Sequence, residues 1–350
     1  MKAITVEPGK KGSVQLEDIT EPDLRNGSLL VEAVATGICG TDVEIVEGNY
    51  GWAPPGKSRL VLGHESLGRV IDPGLSSGFK KGDLVVGIVR RPDPVPCSNC
   101  AVGEWDMCRN GLYTERGIKE IDGFMSERWR IEPEYALKID PGLGILGVLH
   151  ETATVLAKAW EMVKSIGQRS YWEPRNVLVT GAGPIGLLAA LGGVELGLDV
   201  HVLDRATAGP KPSLVKDLGA TYHSTTVSDI GFKPDVVIEC TGVGQVIADS
   251  IMNVGSGGIV CLTGVGKGGS APPNWAIADI AAAAVLQNNV IVGSVNANKR
   301  HWYKAGLALA KADKKWLERL ITRREPPENF KQVLYRQPYD IKNIIQFSDI

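Results

Sequence analysis

The sequence predicts an α/β protein of two domains, a mostly-β first part followed by a doubly wound parallel sheet. Three observations carry this reading. The chain has 350 residues, more than one hydrophobic core usually supports. Its first 150 residues read as short strands parted by turns. From about residue 175 the rhythm becomes strand, glycine turn, helix, repeated, which is the pattern of a parallel sheet covered by helices.

The elements follow in order. The start, MKAITVEPGKKGSV, alternates like a strand and has no apolar core of the signal-peptide kind. SLLVEAVATGIC (Ser28–Cys39) and DLVVGIV (Asp83–Val89) are β-type runs, with turn segments such as APPGK between them. The first strong helix is ETATVLAKAWEMVKSIG, where Ala153, Leu156, Ala157, Trp160 and Val163 recur at three- and four-residue spacing. Then come the strand NVLVT, the turn GAGPIG, the helix LLAALGGVELG and the strand VHVLD, followed by apolar strands in DVVIEC, GIVCLTG and VIVGSVN. The amphipathic KKWLERLIT is expected as a helix, with Lys314, Lys315, Arg319, Arg323 and Arg324 on its wet face. The expected domains are residues 1–174, residues 175–297, and a segment 298–350 that returns to the first.

Charge is balanced, 38 basic against 40 acidic residues without long runs, so the footprint of a nucleic-acid binder is missing. No apolar run approaches the ~18 residues of a membrane span. Three of the six cysteines cluster at metal spacing, which points to reduced thiols and a cytoplasmic protein rather than a disulfide framework.

Gly181, Gly183 and Gly186 form G-x-G-x-x-G directly after a strand and at the opening of a helix, with Pro184 and Ile185 between the last two. Such glycines let the backbone approach a pyrophosphate at the helix N-terminus. Asp204 follows 18 residues after Gly186 at the end of the next strand, the place of a ribose-binding carboxylate. Asp204 favours NAD. Arg205 beside it would neutralise a 2′-phosphate, which opens the use of NADP.

Cys39 in GICGTD and His64 and Glu65 in GHE offer thiolate, imidazole and carboxylate from separate segments, a donor set that suits one zinc with a coordination position open. Glu151 at the domain junction is a further carboxylate candidate. Cys97, Cys100 and Cys108 have the spacing C-x2-C-x7-C, one short of the four ligands of a structural zinc. Asp93 is a candidate for the fourth, with Glu104, Asp106 or water as alternatives.

GICGTD, GHE, the cysteine cluster and GAGPIG, in this order, resemble the zinc-dependent medium-chain dehydrogenases. RRP before the cluster, TERGIKEIDGFMSE after it, GSVNANKRHW and the ending DIKNIIQFSDI are similar to the glucose dehydrogenase branch. The resemblance covers essentially the whole chain. It implies a GroES-like catalytic domain, a Rossmann domain, and a homodimer or homotetramer. It places the catalytic zinc on Cys39, His64, Glu65 and Glu151, and gives Thr41 the hydroxyl that meets the reacting sugar hydroxyl and begins a proton relay. Glu115 and Asn296 match positions that hold other sugar hydroxyls; Thr263, Gly264 and Val265, with Ser294, Val295 and Asn296, match segments lining the cofactor. Val89 and Val155 stand where some relatives carry polar residues, and Ala206 where strict NADP members carry a basic one. The activity so implied is oxidation of an aldose at C1, D-glucose or a close epimer, to the lactone with NAD(P). The alternatives are the same chemistry on sorbitol, threonine or a butanediol, and a non-catalytic dinucleotide-binding protein.

Overall fold

The computed structural model describes residues 1–75, 77–266 and 277–350. The chain divides into two compact units, Met1–Glu151 with Asn298–Ile350, and Thr152–Ala297.

The first unit is built on a seven-stranded sheet whose central strand is Leu29–Gly37. That strand pairs antiparallel with Glu65–Asp72 on one side and with Lys342–Gln346, from the far end of the chain, on the other. Leu29, Val31, Ala33, Val70, Val85, Phe124, Trp129 and Ile131 form the core beneath it, with Phe124 and Trp129 meeting edge to face at 4.8 Å. The register sets Gly37 opposite Glu65 and, across the other edge, opposite Ile344. The sheet thereby gathers the Cys39 turn, the start of Glu65–Asp72 and the start of the last strand at one end.

The second unit is a six-stranded, wholly parallel sheet. Its strand order is Thr221–His223, Asp199–Leu203, Asn176–Thr180, Val236–Glu239, Ile259–Leu262, Val290–Gly293, the doubly wound order 3-2-1-4-5-6. Covered on both faces, its inner strands are near-continuous apolar runs rather than alternating ones; all four residues of Val236–Glu239 are buried. Leu178, Leu203, Val237, Ile251, Val254 and Val260 pack on one face.

Two expectations need correction. A boundary after residue 174 puts the helix His150–Gly167 in the first domain, but from Thr152 onward it packs with the second unit. Its apolar stripe supplies the reason: Leu156, Ala159 and Val163 are buried, and Trp160 donates its indole N–H to the Ala189 carbonyl at 3.2 Å. The segment KKWLERLIT is not one helix. A helix runs only from Lys314 to Glu318, and Ile321–Glu325, holding Arg323 and Arg324, is a strand parallel to Lys342–Gln346. Backbone pairing with the last strand overrides the helical periodicity there.

Candidate active site

Cys39 ends the turn after the central strand and caps the helix Gly40–Val46. Glu65 opens the neighbouring strand and His64 directly precedes it, so the sheet register brings the three together. Their ligand atoms lie within 4.8 Å of one another. Thiol, imidazole and carboxylate are zinc donors with bonds of about 2.0–2.3 Å, and the spacing suits one ion. Thr41, half-buried on the helix, has its Oγ1 3.9 Å from Cys39 Sγ.

Two supporting residues escaped the sequence reading. Asp42 accepts the Cys39 backbone N–H at 2.8 Å and turns its other oxygen to His64 Nδ1 at 3.4 Å. A hydrogen bond closed there would leave Nε2 as the ring nitrogen for a metal, the carboxylate–histidine arrangement that holds a zinc ligand in place. Lys342 places Nζ 2.6 Å from both oxygens of Glu65, with both side chains 1% exposed. The signal for Asp42 was its position three residues after Cys39; for Lys342 it was a lysine next to the apolar pair Ile344 and Ile345 in the strand KNIIQ.

Electrostatics at the site favour a cation. Burial opposes protonation of His64, yet the Asp42 carboxylate and Cys39 outweigh it and raise its pKa well above the usual imidazole value. Burial, reinforced by Glu65 and Asp42 and opposed by His64 and Lys342, pushes the Glu151 carboxyl above the usual carboxylate range. A divalent ion answers that surplus negative charge better than a proton does. Glu151, expected as a fourth ligand, does not belong to the close group among the described residues. It enters from a separate element, the start of His150–Gly167, into the field of two other carboxylates that repel it. Its neighbour His150 is a packing residue: its Nε2 lies 2.8 Å from the Trp302 carbonyl, and burial pushes its pKa down to about 4.

Gly37 is glycine for a reason of space. A Cβ there would meet Glu65 Oε2 at 1.9 Å. Gly37→Ala is therefore expected to displace that carboxylate and weaken zinc binding by about 10- to 100-fold with the fold retained. A metal-competition titration beside a circular dichroism spectrum checks this; unchanged affinity would remove Glu65 from the metal site.

The sulfurs of Cys97, Cys100 and Cys108 also converge within 4.8 Å. Asp93 does not join them. Its Oδ1 accepts the Val95 N–H and its Oδ2 the Asn110 side-chain amide, both at 2.8 Å, so it closes a local turn instead. Backbone N–H groups of Arg109 and Cys100 push the Cys97 thiol down to about 6, and burial pushes Cys100 up to about 11. The lowered pKa favours the Cys97 thiolate, the form that binds a metal or meets an alkylating agent. Zinc is expected to protect Cys97 from iodoacetamide, followed by peptide mass spectrometry; equal labelling with and without zinc would mean that the three thiols hold no metal.

In the second unit, Gly181 has φ +89°, and a Cβ on Gly186 would lie 1.7 Å from the Gly181 carbonyl. The turn therefore packs glycine on glycine before the helix Pro184–Glu195, with Gly183 at its cap, Pro184 in its first turn and Ile185 half-buried behind it. Asp204 binds this turn: its Oδ2 accepts the Ala182 N–H at 2.7 Å. Burial opposes its ionisation, but the Ala182 amide, Lys211 and the Ala206 amide hold its carboxyl below the usual range. Arg205 is exposed.

Thr263, Gly264 and Val265 follow the strand Ile259–Leu262, with Thr263 and Gly264 bonded to the Glu239 carbonyl and Val265 exposed. Ser294 is buried, Val295 exposed, and the Val295 carbonyl accepts Lys158 Nζ at 2.9 Å. Asn296 is one of three non-glycine residues with positive φ among the described residues, at +59°, and its Oδ1 accepts the next N–H at 2.7 Å. A further carboxylate missed by the sequence reading, Glu239, is fully buried and accepts the amides of Thr241 and Gly242, fixing the loop at the strand ends where a doubly wound sheet binds its ligand. Glu115, in the first unit, is buried and held by Arg90 at 3.0 Å, whose guanidinium stacks on Tyr113 at 3.6 Å.

Two family models match the chain, one for each part of it. Residues 144–347 match the family described as "Glucose dehydrogenase C-terminus" and residues 25–141 the "Alcohol dehydrogenase GroES-like domain". The chain is 37% identical to glucose 1-dehydrogenase 2 of Vulcanisaeta moutnovskia and 35% identical to the glucose 1-dehydrogenase of Methanocella arvoryzae, each over 99% of both chains. Among solved structures it is similar to Haloferax mediterranei glucose dehydrogenase in complex with NADP, Zn and gluconolactone, with 30% identity, full coverage of both chains and a TM-score of 0.91.

Proposed function

Because the chain belongs to the glucose dehydrogenase family of GroES-like, zinc-dependent alcohol dehydrogenases, we propose that it oxidises the C1 hydroxyl of an aldose, D-glucose or a close epimer, to the lactone with transfer of hydride to NAD(P). The observation that carries this is the group Cys39, His64 and Glu65 with Thr41 beside it. When bound, zinc supplies a Lewis acid that lowers the pKa of the sugar hydroxyl, and the nicotinamide accepts the hydride. Cys39, His64 and Glu65 hold the metal. Asp42 orients His64 by its Nδ1, and Lys342 restrains Glu65. The Thr41 hydroxyl would take the proton released from the C1 hydroxyl as it gives its own to solvent, so the hydroxyl is regenerated. The glycine turn at Gly181–Gly186 and Asp204 hold the dinucleotide. The Haloferax relative holds NADP, zinc and gluconolactone, the lactone of this reaction.

Cys97, Cys100 and Cys108 form the second zinc site. Val290–Gly293 is the edge of the parallel sheet, Ile291 on it is exposed, and so are Val285 and Leu286 of the helix Ile277–Gln287; these apolar groups support a homodimer or homotetramer. Among the described residues no helix is long and apolar enough to cross a membrane, and all six cysteines are free, which supports a cytoplasmic location.

The test is reduction of NAD and NADP in parallel with D-glucose, galactose, sorbitol, threonine and butanediol, with and without a chelator. Turnover on glucose that the chelator abolishes is the expected result. Turnover on a non-sugar alcohol alone would retire the aldose reading and make Val89 and Val155 the first residues to exchange.

A further inference from the structure

Asp204 stands where a carboxylate would take the adenosine ribose of NAD and repel the 2′-phosphate of NADP. In this chain that carboxylate is not alone. Lys211, in the first turn of the helix Pro210–Asp217, places Nζ 2.9 Å from Asp204 Oδ2. The pair is well shielded, with side chains 18% and 9% exposed. Oδ2 also accepts the Ala182 N–H, and Oδ1 accepts the Ala206 N–H at 3.0 Å. Three donors thus occupy a carboxylate with about four acceptor directions. Tyr222 braces the same loop, donating its hydroxyl to the carbonyls of Asp204 and Ala206. One acceptor direction remains for a ribose hydroxyl, and the net charge of the Asp204–Lys211 pair is zero.

We propose that Lys211 is the cofactor-discriminating residue of this chain: by cancelling the charge of Asp204 and presenting an ammonium beside it, it admits an adenosine 2′-phosphate while leaving Asp204 able to accept a 2′-hydroxyl. The proposal rests on the reading of this unit as a dinucleotide site. It places discrimination on a residue seven positions beyond Asp204 rather than on the adjacent, exposed Arg205. A 2′-phosphate carries roughly one and a half to two negative charges at neutral pH, so an uncompensated Asp204 would disfavour it.

The experiment titrates ADP-ribose and 2′-phospho-ADP-ribose, which lack the nicotinamide, into the full chain by calorimetry, so that neither zinc nor turnover enters. Lys211→Gln keeps a hydrogen-bond donor for Asp204 and removes the charge. It is expected to weaken 2′-phospho-ADP-ribose about tenfold, the scale of one charge-assisted contact, and to change ADP-ribose less than about twofold. Lys211→Arg is expected to retain both, and added salt to narrow the difference between wild type and Lys211→Gln for the phosphorylated ligand. Equal weakening of both ligands would make Lys211 a brace of the loop and overturn the proposal. So would a selective loss in Arg205→Gln with none in Lys211→Gln, or a wild type that binds ADP-ribose but not its 2′-phosphate. A wild type that binds neither would overturn the dinucleotide reading itself, and the proposal with it.

Discussion

Cys39→Ala is expected to abolish turnover while leaving dinucleotide binding intact. The residue sits at the cap of the helix Gly40–Val46, half-exposed, with its sulfur within 4.8 Å of ligand atoms on His64 and Glu65. Removing the thiolate takes away the softest donor and the one whose negative charge best retains zinc. Loss of a Lewis acid worth several kcal/mol of transition-state stabilisation corresponds to a fall in kcat/KM on the order of a thousandfold or more. The glycine turn and Asp204 lie in the other unit, so ADP-ribose affinity should be unchanged. Steady-state kinetics, metal content by mass spectrometry and the calorimetric titration together check this. Near-normal turnover in the variant would refute the zinc mechanism. Loss of ADP-ribose binding as well would show that the substitution unfolds the chain rather than stripping the metal.

Lys342→Met is expected to give the largest change in stability. Lys342 and Glu65 are both 1% exposed and joined at 2.6 Å, and they come from strands that share the central strand Leu29–Gly37 as a neighbour. Deleting one member of such a pair leaves a buried charge without compensation, at a cost of about 3–5 kcal/mol. A zinc ion next to Glu65 replaces part of the lost positive charge, so the fall in Tm should be larger for the metal-free protein than for the zinc-loaded one. The double variant Lys342→Met with Glu65→Gln should recover much of the loss, because neither residue then carries a charge. Differential scanning calorimetry of wild type, the two single variants and the double variant, each with and without zinc, measures this. A Tm for Lys342→Met equal to wild type would mean that the pair contributes nothing to the fold. An equal fall with and without zinc would separate Glu65 from the metal.

The features legible in the sequence are local ones. The alternation of strands and helices after residue 175, the glycine turn at Gly181–Gly186 and the acidic residue at the end of the next strand each depend on residues close along the chain, where periodicity and turn chemistry are decided. GICGTD and GHE name the donor types for a metal in the same way. Local patterning also misleads. KKWLERLIT has a helical period, yet its last two residues begin the strand Ile321–Glu325, because hydrogen bonds to Lys342–Gln346 outweigh a weak propensity. Asp93 has the right spacing for a fourth ligand beside three cysteines, but the nearer amides of Val95 and Asn110 claim its oxygens.

The sequence by itself determined the α/β class, the order of the elements, and which residue types are offered to a metal and to a dinucleotide. Only the tertiary structure decided which charges answer one another. Glu65 and Lys342 are 277 positions apart, and no spacing rule links them; they meet because both flank one end of the same central strand. Asp42 reaches His64 because helix and strand converge there, and Lys211 reaches Asp204 because its helix begins just after that strand. Buried charges must find partners, and the partners are chosen by which backbones the sheets set side by side.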